Sequence, residues 1–195
     1  MLSTYRRQQI RGLTLTELMI VLALSSTMLA IGAPSMGQWA RAIEVRSSAA
    51  SLVAALHAAR SEALTRNAAV RLQLLDALGR PGWRLSCVQT SARCPALIRQ
   101  QAIDTSAAVR WGATTLAAGP SFDVPIAAGT ALPAGIGFDA SGAVPGIAAG
   151  DDIARIDVTH SSGDNVQRMV VLIAPQGMVR LCQPTLSAGH PQHCH

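Results

Sequence analysis

The chain has no lysine, and all 16 of its basic residues are arginine. Walker A phosphate loops, Schiff-base enzymes and Ser-x-x-Lys enzymes each need a lysine, so the sequence excludes these three classes. The chain also lacks a His-Glu-x-x-His zinc motif and a Gly-x-Ser-x-Gly nucleophile motif. We therefore expect a protein that is not an enzyme and that carries no cofactor.

Aromatic residues are also scarce, at 3% of a chain that is 49% hydrophobic. The core must therefore be built from Ala, Val, Leu and Ile. The glycine-rich stretch from Gly135 to Ala140 is weakly similar to a dinucleotide-binding loop. The Ser-Gly-Ala-Val-Pro-Gly that follows it cannot begin the helix that such a loop requires, so we interpret these glycines as turn residues.

Acidic residues number only 11, which gives the chain a formal net charge of +5. Arg6, Arg7 and Arg11 all precede the first acid, Glu17. Without these three, 13 arginines stand against 11 acids, a net charge of +2. That excess is too small to predict nucleic-acid binding from charge alone.

A long stretch without ionisable side chains follows Glu17. It runs for 23 residues from Leu18 to Ala40. A bilayer core of about 30 Å needs roughly 20 helical residues, so the stretch is long enough to span. The arginines before it, with no acid among them, predict that the N-terminus stays on the cytoplasmic side.

Two simple interpretations of this stretch are weakened by its length and by Glu17. A secretory signal peptide cleaved near Gly32 would have an apolar region of about 7–15 residues, shorter than this one. A plain uncleaved anchor leaves Glu17 unexplained, because a carboxylate inside a membrane helix costs roughly 2.5–3.5 kcal/mol and usually has a partner.

The sequence from Gly12 to Ser35, GLTLTELMIVLALSSTMLAIGAPS, resembles the N-terminus of type IV pilins and type II secretion pseudopilins. The resemblance implies cleavage between Gly12 and Leu13, N-methylation of Leu13, and a role for Glu17 in accepting the amine of a neighbouring subunit during assembly. Two residues depart mildly from the family pattern: Leu13 stands where Phe is commoner, and Thr16 stands where an aliphatic residue is usual.

The resemblance also implies partners and a location. The partners are other pilins or pseudopilins of the same filament, a prepilin peptidase/methyltransferase and an inner-membrane assembly platform. The chain would cross the inner membrane once, with its head in the periplasm, and would assemble into a periplasmic or surface filament.

The pattern of apolar residues predicts an α+β fold with a long N-terminal helix and a β-rich head. Beyond Trp39 the helix becomes amphipathic, with apolar residues at three- and four-residue spacing up to Leu64. Glu62 and Arg66 are spaced to form a favourable ion pair near its end. The expected division is a leader at 1–12, a transmembrane helix at 13–36, its amphipathic continuation at 37–66 and the head at 67–195.

Alternating hydrophobicity predicts the strands of the head. The clearest group lies between residues 153 and 182, where a hairpin and a third strand should form one sheet. Residues 112–150 are expected to form loops with short edge strands. The head and the helix segment before it resemble the GspH/FimT branch, which implies two small sheets packed against the second half of the helix. The predicted strands are 70–75, 83–88, 108–111, 122–124, 135–138, 153–160, 167–173 and 178–182.

Four cysteines, Cys87, Cys94, Cys182 and Cys194, lie in the part expected to face an oxidising compartment, which favours disulfides. Three pairings are open, and Cys87–Cys94 with Cys182–Cys194 closes the shortest loops. A competing interpretation is a Zn²⁺ or Cu²⁺ site in the tail from His190 to His195, which also contains His193 and Cys194. A terminal tail does not hold its ligands in a fixed geometry before the metal binds, so we predict no metal site.

The stretch Gly177-Met178-Val179-Arg180 resembles a Gly-Arg-x-Arg motif that FimT-like minor pilins use to capture DNA. Only Gly177 and Arg180 match, and Met178 replaces the first arginine, which should weaken binding and its salt dependence. Arg180 as an ordinary strand residue is the favoured interpretation. The leading hypothesis is thus a structural minor subunit of a type II secretion pseudopilus, and the alternative is a type IV pilus minor pilin involved in DNA uptake.

Overall fold

The structure is a computed structural model that describes residues 14–116, 121–163 and 167–194, apart from the side chains of residues 29–35. The chain divides into two compact units, Met1–Trp39 and Ala40–His195. The elements are α1 (Leu15–Arg66), β1 (Val70–Leu74), β2 (Trp83–Cys87), β3 (Arg99–Gln101), β4 (Val109–Thr114), β5 (Ala134–Phe138), α2 (Pro145–Ala149), β6 (Arg155–His160), β7 (Met169–Ile173) and β8 (Val179–Cys182).

Helix α1 is 52 residues long and ends where a helix from Leu13 to Arg66 was predicted to end. Its end is a Schellman motif around Asn67, which has a positive φ of 49°. The Asn67 amide donates to the Leu64 carbonyl at 3.3 Å, and the Ala68 amide donates to the Ala63 carbonyl at 3.2 Å. Over the described part of the chain, no helix combines the length and the hydropathy that a membrane crossing requires.

In the second unit, one face of α1 contributes a stripe of buried side chains to the hydrophobic core. Its members recur every three or four residues, which places them on one face of the helix. All are fully buried: Val45, Ala49, Leu52, Leu56, Ala59 and Ala63.

Two four-stranded antiparallel sheets supply the rest of this core, which confirms the predicted α+β class. The first sheet has the order β3-β2-β1-β5 and the second has the order β4-β6-β7-β8. In the first sheet Leu72 lies opposite Leu85 on one side and Ile136 on the other. In the second, Trp111 lies opposite Val158. These inward residues pack with the α1 stripe in one cluster.

Three parts of the head differ from the sequence prediction. Strand β3 and helix α2 were not predicted, because a three-residue polar strand and a Pro-Gly-initiated turn of helix carry little periodicity. The predicted edge strand at 122–124 is wrong. A turn forms there, in which the Val124 amide donates to the Ser121 carbonyl at 2.9 Å.

Candidate assembly surface and C-terminal strand

The first turns of α1 carry large apolar side chains that are all exposed. The exposed fraction ranges from 52% at Leu18 to 75% at Met28. A soluble monomer rarely exposes so much contiguous apolar surface, and such a surface usually marks contact with lipid or with another protein. The exposed set in this segment is Leu15, Leu18, Met19, Ile20, Val21, Leu22, Leu24 and Met28.

Two hydroxyl groups within this apolar segment are satisfied by the helix itself. Ser26 and Thr27 both donate to the Ala23 carbonyl, at 2.9 Å and 2.8 Å. Such back-bonding removes the need for water at a polar side chain. The segment can therefore be buried away from water without leaving these two hydroxyl donors unbonded.

Glu17 is the one ionisable residue between Thr14 and Ala40. Its backbone amide donates to the Thr14 hydroxyl at 3.3 Å, which caps the first turn. The side chain is exposed, and no cation of residues 14–116, 121–163 or 167–194 pairs with it. Gly12 and Leu13, the predicted cleavage site, lie outside the described residues.

Gly177 begins the stretch that resembles the DNA-capture motif, and its surroundings explain why a glycine stands there. Its φ is +74°, and an added Cβ would overlap the Gly142 carbonyl oxygen. The Gly177 amide closes the turn before β8 by donating to the Ala174 carbonyl at 2.8 Å. This glycine allows the turn between β7 and β8 to touch the turn after β5.

Arg180 lies on the outer face of β8, where it is half-buried. Its guanidinium donates to the His193 carbonyl at 3.3 Å, so part of its hydrogen-bonding capacity is used within the chain. Met178, which replaces the first arginine of the motif, is 64% exposed. DNA contact by Gly177 and Arg180 stays the less favoured hypothesis.

The four cysteines form two disulfides in the structure, Cys87–Cys94 and Cys182–Cys194. The first belongs to the main hydrophobic core. The second belongs to a smaller cluster on the other face of the second sheet, with Val170 as its third buried member. It holds the C-terminal loop, residues 183–194, against β8.

The histidines of this C-terminal loop are engaged locally. His193 Nδ1 lies 2.8 Å from the Leu186 carbonyl oxygen, and His190 Nδ1 accepts the Gln192 amide at 3.1 Å. Cys194 is bonded to another cysteine and offers no thiolate. Among the described residues no group of three or more His, Cys, Asp or Glu side chains is placed to hold a metal, and His195 lies outside them.

A buried charge network was missed by the sequence analysis. Arg155 and Asp157 are fully buried, and Arg155 Nε donates to Asp157 Oδ1 at 2.8 Å. Arg168 Nη1 donates to Asp157 Oδ2 at 2.7 Å. The Ile126 amide donates to the same oxygen at 3.1 Å.

The same two arginines hold the segment 121–126 over the second sheet. Arg155 donates to the Val124 carbonyl at 3.2 Å and lies 4.8 Å from the centroid of the Phe122 ring. Arg168 donates to the Phe122 carbonyl. Alternation along β6 correctly assigns Arg155 and Asp157 to the outer face, but no signal in the pattern shows that another segment covers them.

Two protein-family models match the chain. Residues 48–177 match the family model described as type II transport protein GspH. Residues 7–33 match the model described as the prokaryotic N-terminal methylation motif. No curated protein matches the chain.

Two solved structures are similar, both of the type IV minor pilin FimU of Pseudomonas aeruginosa PAO1. The crystal form in space group P21 is 22% identical, with a TM-score of 0.49 over 78% of this chain and 96% of that chain. The form in space group P65 is also 22% identical, with a TM-score of 0.47 over 77% of this chain and 99% of that chain.

Proposed function

Because the chain belongs to the GspH family of type II transport proteins, as a minor pilin-like filament subunit, we propose that it serves in the pseudopilus of a type II secretion system. The N-terminal methylation motif makes it a membrane-anchored subunit that is processed by a prepilin peptidase. We further propose that it crosses the inner membrane once and holds its head in the periplasm until an assembly platform moves it into the filament.

The observation that carries the proposal is the exposed apolar start of α1 with one carboxylate in it. Cleavage between Gly12 and Leu13 would create an amine four residues before Glu17. A carboxylate in an apolar surrounding needs a cation, and the amine of a neighbouring subunit supplies one at the same depth. Glu17 would thus align each new subunit with the one before it.

The test is a deletion of the gene followed by measurement of exported enzyme activity in the culture medium. Secretion should fall to background, and the wild-type gene should restore it. Glu17→Ala and Glu17→Gln should not restore it, because both remove the carboxylate charge. Thr16→Val is the matched control: it changes the neighbouring residue without touching the charge and should restore secretion.

Unchanged secretion in the deletion strain would contradict a role in type II secretion. DNA uptake and surface piliation would then be measured, because the alternative places the chain in a type IV pilus. In that case a loss of DNA binding in Arg180→Ala, with Arg84→Ala unaffected, would support a DNA contact at β8.

Processing is tested separately by the mass of the intact protein. We expect a mature chain that begins at Leu13 and carries one methyl group. A mature N-terminus near Gly32 would instead show a secretory signal peptide and would overturn the assembly role of Glu17.

A further inference from the structure

Aromatic side chains are scarce in this chain, and four of them are used in the packing of the head. The chain has three Trp, two Phe and one Tyr. Trp83, Trp111 and Phe138 are buried in the main hydrophobic core. Phe122 is half-buried and packs against the smaller cluster. Each of these four aromatic rings therefore contributes to the fold of the head.

Trp39, on α1, is exposed over 67% of its surface. No other aromatic side chain in the described parts of the chain is exposed. Met36, one helical turn earlier, is exposed to a similar extent, at 68%. A single exposed apolar residue needs no explanation by itself. The chemistry of the indole and the position of Trp39 along α1 together supply one.

The indole N–H of Trp39 differs from those of the two head tryptophans. Trp83 Nε1 donates to Gln101 Oε1 at 2.9 Å, and Trp111 Nε1 donates to Ser48 Oγ at 3.1 Å. The described residues offer the Trp39 indole no acceptor. Trp39 therefore presents an apolar ring together with a hydrogen-bond donor that has no partner in this part of the chain. Tryptophan is enriched at membrane–water interfaces for this reason, because one end of the ring lies in an apolar layer and the other end meets polar groups.

The position of Trp39 along α1 matches the thickness of a bilayer. Trp39 lies 22 residues after Glu17 in one continuous helix, which corresponds to about 33 Å at a rise of 1.5 Å per residue. The hydrocarbon core of a bilayer is about 30 Å thick. When Glu17 lies near the cytoplasmic edge of that core, Trp39 therefore lies at the level of the lipid headgroups on the periplasmic side.

The charge pattern of the sequence changes at the same level. The run without ionisable side chains ends at Ala40, and Arg41 is the first cation after it. Arginine near the end of a membrane helix extends its charged group toward the interface, where the lipid phosphates lie. The end of the uncharged run and the exposed tryptophan therefore mark one boundary within two residues of each other.

We propose that Trp39 binds the lipid headgroup region of the periplasmic leaflet and sets the depth at which the unassembled subunit lies in the membrane. The ring packs on the upper part of the acyl chains, and the indole N–H donates to an ester or phosphate oxygen of a lipid. Because Glu17 and Trp39 belong to one helix, the same contact holds Glu17 at a constant depth before assembly. The inference rests on the proposed function, since it names the lipid contact of a subunit that crosses the membrane once.

The test measures the quenching of tryptophan fluorescence in the full chain, reconstituted in dioleoyl-phosphatidylcholine vesicles. One spin-labelled lipid carries its label on the headgroup, and a second carries it near the end of the acyl chain. The Trp39→Phe variant gives the signal of Trp83 and Trp111, which is subtracted from that of the wild type. The headgroup label should quench the Trp39 signal about twofold or more above the acyl-chain label, because the indole lies at the edge of the hydrocarbon core.

Met28→Trp in the Trp39→Phe background is the matched control. Met28 is exposed at 75% on the same helix and lies 11 residues before Trp39, or about 17 Å, which is close to half the thickness of the core. The preference for the two labels should be reversed for this indole. Both substitutions replace exposed side chains outside the head, so the melting temperature of the head should not change.

Bilayers of different thickness separate binding at the interface from a depth that helix length alone sets. Vesicles are made from dimyristoleoyl-, dioleoyl- and dierucoyl-phosphatidylcholine, which form progressively thicker bilayers. The distance of Trp39 from the bilayer centre should increase along this series, because an interfacial side chain follows the headgroups while the helix changes its tilt. A distance that stays constant along the series would overturn the proposal.

The remaining outcomes distinguish this contact from the proposed function. If neither label quenches Trp39 while the acyl-chain label quenches the indole introduced by Met28→Trp, water or protein covers Trp39 and only this inference is overturned. If neither label quenches either indole, the membrane crossing itself is overturned. The expected quenching in a chain whose deletion leaves secretion unchanged would overturn the role in type II secretion alone.

Discussion

At the scale of single residues, the head depends on several positions whose chemistry is fixed by their neighbours. Gly177 is required by a backbone contact and a left-handed φ. Asp157 is required by two arginines and a backbone amide that all donate to it. Each position can be tested against a control that shares part of its environment.

Gly177→Ala should be strongly destabilising. Gly150 also has a left-handed φ, of +81°, but an added Cβ there has nothing within 4 Å. Gly150→Ala should therefore cost about 1 kcal/mol from backbone strain alone. Gly177→Ala adds a clash with the Gly142 carbonyl and should cost about 2 kcal/mol more. Urea denaturation measures both, and equal costs would contradict the clash.

Asp157→Asn should lower the free energy of unfolding by about 3–5 kcal/mol, because it removes the buried carboxylate charge to which Arg155 and Arg168 both donate. Asp123→Asn is the control, since Asp123 is exposed and bonds only to Ser121 within the described residues. Thermal unfolding should give a much lower melting temperature for Asp157→Asn than for Asp123→Asn. A small effect of Asp157→Asn would mean that the network does not hold the 121–126 segment.

At the scale of elements, the turn after β5 links the first sheet to the turn before β8. Asp139 organises this turn by accepting the Ser141 hydroxyl at 2.6 Å, the Ser141 amide at 2.8 Å and the Ala143 amide at 3.0 Å. The hydroxyl of Ser141 is the largest cause that lowers the pKa of the Asp139 carboxyl below 3.8. The folded state therefore stabilises the ionised form of the Asp139 carboxyl.

This shift predicts a pH-dependent contribution to stability. Because the pKa of Asp139 is lower in the folded state, its contribution is present above the unfolded pKa and is lost as the pH falls through the folded pKa. The difference in unfolding free energy between wild type and Asp139→Ala should be constant near neutral pH and shrink below about pH 4. Denaturant titrations across pH 2–7 measure it, and a difference independent of pH would contradict the prediction.

At the scale of the whole molecule, the head has a main core and a smaller cluster that its C-terminal loop completes. The Cys182–Cys194 disulfide belongs to the smaller cluster, and the Cys87–Cys94 disulfide belongs to the main core. The two bonds should therefore have separable effects.

Replacing Cys182 and Cys194 together by serine should release the loop 183–194 while the main core still unfolds in one step. Loop closure over this separation contributes about 3 kcal/mol at most. Replacing Cys87 and Cys94 should destabilise the main core itself. Limited proteolysis followed by mass spectrometry would show cleavage confined to the loop in the first variant. Early cleavage throughout the head would contradict this division.

The sequence predicts most of the architecture because most of it depends on local periodicity. The three-and-four spacing up to Leu64 and the alternation around Leu72 and Val158 each mark one buried face. Periodicity does not reveal what covers the opposite face of a sheet. Asp157 therefore looks like an outward-facing residue, and part of the covering segment, residues 122–124, was predicted to be an edge strand.

Other features depend on contacts between distant segments. One surface pocket is lined both by Glu44 of α1 and by Asp104, which comes 60 residues later, and no pattern in the sequence joins these two residues. The need for a glycine at position 177 could not be predicted either, because it arises from contact with Gly142, in the turn after β5. The processing and assembly residues, by contrast, follow a contiguous motif and can be predicted without a structure.

The back-bonded hydroxyls of Ser26 and Thr27 bear on the work of moving a subunit. A helix whose polar side chains bond to its own carbonyls presents the same saturated surface to lipid chains and to neighbouring helices. Transfer from one surrounding to the other then breaks no hydrogen bond at these positions. Glu17, the one ionisable residue of the segment, differs from them, because its carboxylate needs a cation in each apolar surrounding that the helix enters.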